Sequence, residues 1–280
     1  MRTAIVLGTF DGVHIGHRAV IETAINSGFK GVAVAFPESP RGIITNQKSI
    51  ITPFSEKREI LLSLGIKEVH YLDFAQVKET APLDFLAFLE REFNPKMIVC
   101  GFNYRFGKNG LGDTSVIREF CAVRGIEFVE VAPVSVGDKI VSSTLIRDML
   151  SKGDIEGANA LLGRPFGFSA EVIHGDKRGR TIGFPTINQV YPQNAARIKF
   201  GVYATTVTIG GREYRGITNV GIRPTFESET VLAETHVVDF SGEIYGSTVN
   251  LRFNKFIRDE RKFSGVAELK ENIENDLKNC

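Results

Sequence analysis

Apolar positions in the first 150 residues follow two alternating rhythms. Short unbroken runs at Ala4–Leu7, Gly31–Phe36, Glu68–Leu72, Met97–Cys100 and Glu127–Val131 predict strands. Between them, Arg18–Asn26, Ser55–Leu64, Leu83–Glu92 and Thr114–Val123 carry helical spacing. Ser55 reads as a helix cap, and Pro82 stands where a first turn tolerates proline. Strands alternating with helices predict a doubly wound α/β domain whose parallel sheet is covered on both faces. Ligands of such sheets bind beyond the carboxyl ends of the strands, which singles out the loops at 8–16, 37–54 and 101–113.

After Arg147 the rhythm changes. Leu145–Leu150 and Ile155–Leu162 read as two short helices hinged at Gly153. Strand-like stretches follow at Gly167–His174, Gly201–Ile209, Tyr214–Val220, Val231–Phe240 and Ser247–Phe256, with Gly210-Gly211 as a two-residue hairpin turn. Ser264–Lys278 puts Val266, Leu269, Ile273 and Leu277 on one helical face. The expected organisation is a first domain over 1–158 and a second over 159–280. The second is an antiparallel β domain closed by a C-terminal helix.

Composition narrows the classes. A length of 280 residues fits two domains, and 42% hydrophobic with 24% charged residues excludes a disordered chain, collagen or a coiled-coil rod. Lys+Arg 34 against Asp+Glu 33 leaves a net charge of +1, so no global field marks a binder of nucleic acid or anionic membrane. No 18-residue apolar run exists, and the chain opens on a strand pattern rather than a signal peptide. Cys100, Cys121 and Cys280 are too few and scattered for a disulfide framework or a zinc site. They fit two buried thiols and one terminal thiol in a reducing, cytoplasmic compartment. Nothing in the pattern sets an oligomeric state.

Candidate chemistry begins directly after the first strand, in Gly8-Thr9-Phe10-Asp11-Gly12-Val13-His14-Ile15-Gly16-His17. Its glycines match neither the dinucleotide fingerprint nor a P-loop. A spacing of three brings His14 and His17 to one side of a helix start. There they join free N–H groups and the positive dipole end in an anion site suited to a phosphate under attack. Gly16 permits close backbone approach. Further on, Gly179 and Gly183 permit a loop whose N–H groups approach phosphate, and Pro185 stiffens it. Thr186 and Asn188 are hard oxygen donors on one side of an extended segment, suited to Mg²⁺, or else self-bonding turn residues. Asp176, Lys177, Arg178 and Arg180 form a charged cluster that either closes over a nucleotide or is simply solvated. Strand alternation puts Glu234, His236 and Val238 on one face, where Glu234 is either a proton acceptor or an exposed strand carboxylate. His236 either shares that site or is structural, and His174 reads as structural or loop-exposed.

The first motif resembles the signature of HxGH nucleotidyltransferases, in the form seen in FAD synthetases. Gly101-Phe102-Asn103-Tyr104-Arg105-Phe106-Gly107 resembles that family's Gly-x-Asn/Asp-Phe-x-Phe-Gly loop, with Tyr104 in place of Phe. Val141-Ser142-Ser143-Thr144-Leu145-Ile146-Arg147 resembles its Ile-Ser-Ser-Thr-x-Ile-Arg motif. In the second half, Gly183-Phe184-Pro185-Thr186-Ile187-Asn188 resembles the Gly-Phe-Pro-Thr-x-Asn motif of riboflavin kinases, and Ala233–Phe240 their glutamate-bearing strand. Asn219–Phe226 and Phe256–Phe263 resemble two substrate-side loops. The chain is thus similar, over almost its whole length, to the bacterial bifunctional riboflavin kinase/FAD synthetase family.

The resemblance implies a Rossmann-like first domain and a six-stranded barrel-like second one. It implies phosphorylation of riboflavin by ATP to FMN, then adenylylation of FMN by a second ATP to FAD with release of pyrophosphate, with Mg²⁺ as cofactor. At the first site it assigns nucleotide contacts to Gly8, Thr9, Phe10, Asp11, Gly12, Gly16, Ser143 and Thr144. His14, His17 and Arg147 act on the phosphates there, and Asn103 and Phe106 touch the flavin. At the second it assigns nucleotide contacts to Gly179, Arg180, Gly183 and Pro185, Mg²⁺ to Thr186 and Asn188, and proton removal to Glu234. Flavin contacts fall to Asn219, Arg223, Arg258 and Phe263. The expected partners are these small molecules alone. A nucleotidyltransferase for another acceptor, such as a phosphoamine or pantetheine phosphate, would not need the second-half motifs. A flavin-binding regulator with dead sites would have lost Glu234 or the histidine pair.

Overall fold

The computed structural model describes residues 2–37, 49–175, 179, 183–224, 229–261, 263–278 and 280. The chain divides into two compact units, Met1–Ser143 and Thr144–Cys280.

In the first unit, β1 (Thr3–Leu7), β2 (Lys30–Ala35), β3 (Glu68–Tyr71), β4 (Pro95–Gly101) and β5 (Glu127–Val131) form a parallel sheet in the order β3-β2-β1-β4-β5. Its helices are α1 (Ile15–Asn26), α2 (Phe54–Ser63), α3 (Phe74–Val77), α4 (Pro82–Phe93) and α5 (Thr114–Arg124). Alternation along β1 feeds two cores. Ala4 and Val6 pack with Ile21, Ala24 and Leu61 in one, while Ile5 and Leu7 pack with Leu86, Leu89 and Ile117 in the other. Both faces of the sheet are therefore buried, as unbroken apolar runs require. The strand order reverses between β1 and β4, so the loops leaving these two strands flank the switch point where open sheets bind ligands.

Pro82 opens α4 as expected. Ser55 does not cap α2: the helix starts at Phe54 after Pro53 and has no side-chain cap bond. Proline's fixed φ starts the turn instead. The helix α3 and the hairpin of β6 (Ser135–Val136) and β7 (Lys139–Ile140) are too short to show periodicity in sequence.

The second unit takes up α6 (Ser143–Lys152) from Thr144 and continues through α7 (Ile155–Leu162). Six strands follow: β8 (Phe166–Ile173), β9 (Thr186–Val190), β10 (Gly201–Ile209), β11 (Arg212–Pro224), β12 (Glu229–Val237) and β13 (Thr248–Arg258). They close a barrel in the order β10-β11-β12-β9-β8-β13. Gly210 and Gly211 both take positive φ, +56° and +81°, in the expected hairpin turn. The strand missing from the apolar pattern is β9, which buries Gln189 through bonds from its Nε2 to Ala170 O and Val249 O at 2.8 and 2.9 Å. Asn159 on α7 ties that helix to the barrel, donating to Phe253 O at 2.8 Å and accepting from Phe166 N at 2.7 Å. A division after residue 158 falls inside α7.

The last helix is α8 (Val266–Lys278). Its expected apolar face is only partly realised: Val266 is 57% exposed, and the buried residue of the helix is Asp276. Cys100 and Cys121 lie in the core, where burial pushes their thiols up to about 12 and about 11.

Two candidate active sites

The first site is the loop between β1 and α1. Phe10, Gly12 and Val13 take positive φ values of +50°, +87° and +38°. Two of these are non-glycine residues in a costly conformation, which persists only where the surroundings enforce it. The enforcement is visible. Phe10 and Val13 are buried in the core, and the Asp11 carboxylate, itself buried, accepts Ile51 N at 2.9 Å and Thr52 N at 3.4 Å. Ser143 Oγ donates to Asp11 O at 2.9 Å.

His14 caps α1, its Nδ1 accepting from His17 N at 3.3 Å. The two imidazoles stack with centroids 3.6 Å apart and planes 16° from parallel, and Phe10 meets His17 edge-on at 5.4 Å. Burial, then His14, then Lys57 hold the His17 imidazole well below its ordinary range, so it is neutral at physiological pH. Its Nδ1 is buried with no hydrogen-bond partner. A Cβ at Gly16 would lie 3.2 Å from the His14 ring, so glycine lets the stack sit against the helix start.

The loop after β4 presents Asn103 to solvent, with Phe102 beside it. Phe106 is 6% exposed and packs against Tyr104 and Phe85, so it supports the loop from the core side. Ser143 and Thr144 open α6, and Arg147 lies one turn along it, in the second unit.

The second site is built on strands. Thr186 and Asn188 on β9 pair with His236 and Glu234 on β12, and Glu234 pairs in turn with Asn219 on β11. Directly paired residues point to the same side, so all five share one face of the barrel wall. Arg223 Nη1 stands 3.8 Å from Glu234 Oε1, and Asn219 Nδ2 donates to Glu260 at 2.9 Å. His236 Nδ1 is 2.9 Å from Pro185 O. A carbonyl only accepts, so this nitrogen carries the proton. The ring also meets Phe184 edge-on at 5.3 Å, and so braces the turn leading into Thr186. Gly179 O accepts from Phe184 N at 2.9 Å, and a Cβ at Gly179 would collide with Phe184 O at 2.2 Å. Gly183, at φ +85°, supplies the left-handed step. A Cβ at Gly175 would fall 2.4 Å from Asn188 Nδ2.

Arg180, with Asp176, Lys177, Arg178, Thr225 and Phe226, lies outside the described residues. Arg258 is engaged by Asp276: its Nε lies 3.0 and 3.2 Å from the two carboxylate oxygens and Nη2 lies 2.8 Å from one. Its guanidinium also sits 5.5 Å from the centre of the Phe263 ring, which Arg261 approaches at 5.0 Å. This pair therefore anchors α8 to the end of β13.

Sequence reasoning missed a cleft of about 380 Å³ beside Pro185 and Thr186, walled also by Val172, Val237, Phe240 and Tyr245. His174 stacks on Tyr245 at 4.0 Å at its edge. The paired aromatics Phe240 and Tyr245 around Gly242 were its only signal. Thr186 and Asn188 supply hydroxyl and amide oxygens, a hard donor set that suits Mg²⁺. Among the described residues no cluster of three His, Cys, Asp or Glu offers a rival metal site.

A parallel α/β unit with a paired-histidine loop at its switch point, followed by a barrel with a carboxylate, a hydroxyl and an amide on one face, defines a two-part phosphate-group transferase. Family comparison agrees in both halves: residues 1–145 match the FAD synthetase family and residues 162–280 the riboflavin kinase family. The bifunctional riboflavin kinase/FMN adenylyltransferase of Bacillus subtilis is 37% identical over 98% of this chain and 90% of its own length. That of Escherichia coli K12 is 31% identical over 97% and 90%. A solved structure described as a macrolide-efflux protein of Streptococcus pneumoniae superposes with a TM-score of 0.92 at 32% identity, covering 99% of this chain and 93% of that one. Among the described residues no helix is long and apolar enough to cross a membrane. The chain belongs to the bifunctional riboflavin kinase/FAD synthetase family, a transferase of flavin cofactor biosynthesis that uses ATP.

Proposed function

We propose that the two chemistries are divided between the two sites, with the β1–α1 loop adenylylating FMN and the β9–β12 face phosphorylating riboflavin. One observation carries this reading: strand register places Thr186, Asn188 and Glu234 together, so a proton acceptor and an oxygen-donor pair share a wall of the barrel.

At the first site an FMN phosphate oxygen forms a bond to the α-phosphorus of ATP, and the bond to the β-phosphate bridging oxygen breaks. The nucleophile is already an anion, so the protein needs to supply only position and charge stabilisation. Gly8, Thr9, Gly12 and Gly16 bring backbone close to the phosphates. A neutral His17 donates N–H to them, and His14 stacked beneath it fixes the ring. Ser143, Thr144 and Arg147 keep the nucleotide and phosphate roles that the family motif implies, and Asn103 that of a flavin contact. Phe10 and Asp11 act by holding the loop's shape, as does Phe106 for the loop after β4.

At the second site the ribityl 5′-hydroxyl needs a base. Glu234 takes its proton as the oxygen bonds to the γ-phosphorus of ATP and ADP leaves. Arg223 fixes the carboxylate, Asn219 and Phe263 lie on the flavin side, and Arg258 keeps Phe263 in place. Thr186 and Asn188 would hold Mg²⁺, which when bound neutralises phosphate charge. Gly179, Gly183 and Pro185 shape the phosphate turn, Arg180 belongs to the same nucleotide loop, and the cleft at Phe240–Tyr245 takes the adenine. Three free thiols support a cytoplasmic setting.

The test is incubation with riboflavin, ATP and Mg²⁺ followed by separation of the flavins. FMN should appear first and FAD after it. Accumulation of FMN alone, or no conversion, contradicts the reading.

A further inference from the structure

Lys57 is the least expected polar residue of the first unit. It sits on α2 in a stretch that carries no motif, yet it is only 2% exposed. Its ammonium reaches Phe36 O at 2.7 Å, Pro37 O at 3.1 Å and Thr9 O at 3.3 Å. An ammonium has three donors and no acceptor, and three backbone carbonyls meet them. Two of these carbonyls belong to the chain leaving β2, and the third to the histidine-bearing loop leaving β1. The contact therefore pins together two strand ends that border the adenylylation site.

We propose that Lys57 is a positioning residue for FMN adenylylation, its protonated ammonium fixing the Gly8–His17 loop in the geometry that receives the triphosphate. This rests on the assignment of that loop to adenylylation. Burial lowers the ammonium to about 8, with Asp11 opposing the shift. The ammonium is therefore charged at neutral pH and lost as pH rises through about 8. Neutral Lys57 has one donor fewer, and the loop loosens.

The titratable and charged groups that face it are Asp11, His17, Tyr71 and Arg58. Asp11 accepts two backbone amides, and His17 is already neutral at lower pH. Tyr71, whose ring centre lies 5.7 Å from Nζ, is raised above its ordinary range by burial. Arg58 is next along α2.

The test uses the full chain and saturating FMN, ATP and Mg²⁺ between pH 6.5 and 9.5. The wild type should lose FAD-forming turnover above pH 8, with riboflavin phosphorylation keeping a different profile. Lys57→Met should lower adenylylation about tenfold or more at pH 7 and flatten the alkaline fall. Lys57→Arg, charged throughout, should keep its own neutral rate up to pH 9.5 even if that rate is reduced. A wild-type rate flat to pH 9.5 overturns the proposal without any variant. So does an unchanged alkaline fall in folded Lys57→Arg, or a normal rate in Lys57→Met. If Lys57→Met does not fold, the Lys57→Arg profile decides. His14→Ala/His17→Ala is run alongside. If it leaves adenylylation intact, the site assignment has failed, whatever Lys57 does.

Discussion

The two sites hold a buried carboxylate and an accessible one, and the contrast follows the nucleophile. In the first unit Asp11 is 4% exposed and occupied by the amides of Ile51 and Thr52, so it shapes a loop. In the second, the Glu234 side chain is 41% exposed on a strand, with Arg223 beside it. A phosphate nucleophile needs no base, whereas a ribityl hydroxyl does. The first site is accordingly a strained loop at strand ends, lined by N–H donors and stacked imidazoles. The second is a register row on a closed barrel, where alternation and pairing fix Glu234 relative to Thr186 and Asn188.

Substitutions that act on one half alone sharpen this contrast, and the largest effect belongs to the histidines. His14→Ala/His17→Ala removes the phosphate-facing imidazole and the ring that fixes it, and should cut FAD formation by about 10³-fold or more, leaving FMN formation from riboflavin untouched. An equal fall in both activities, measured by separating the flavins, would break the division. Glu234→Gln is the mirror image. Riboflavin phosphorylation should drop by about 10²–10⁴-fold with riboflavin binding little changed, while FMN supplied directly is still adenylylated. Near-normal phosphorylation would transfer the base role to water or His236.

Gly175→Ala tests the geometry rather than the chemistry. Its methyl would push Asn188 aside, and a displacement of that kind costs phosphorylation roughly 10²-fold. Thermal unfolding should stay close to wild type. Smallest for catalysis is Asp276→Ala, which strands Arg258. It should destabilise the second unit by about 3 kcal/mol, seen as a lowered denaturant midpoint, with the adenylylation rate of the folded enzyme unchanged. A midpoint equal to wild type would show that α8 is held by other contacts.

Much of this was legible in the sequence where local pattern and final environment agree. Ala4–Leu7 is apolar because both its faces are buried, and the spacing of His14 and His17 already placed them on one helix start. The barrel was legible except for β9, whose residues Thr186, Asn188 and Gln189 are polar. Its strand character comes from pairing with β8 and β12, which no local pattern reports. Lys57 was invisible for a related reason. A lysine on a helix reads as solvated, and only the fold brings the carbonyls of Thr9, Phe36 and Pro37 around it.

The most direct measurement of the division is made on a fragment. Residues 159–280 would cut α7 and leave Asn159, which bonds Phe253 and Phe166, as the first residue, so the fragment should begin at Thr144, where the second unit begins. Folding is checked by circular dichroism and a cooperative melt, and the fragment is then given riboflavin, ATP and Mg²⁺. FMN should form at a rate close to that of the full chain, and no FAD should follow even when FMN is added. A folded fragment that leaves riboflavin unchanged, or one that makes FAD, would contradict the division.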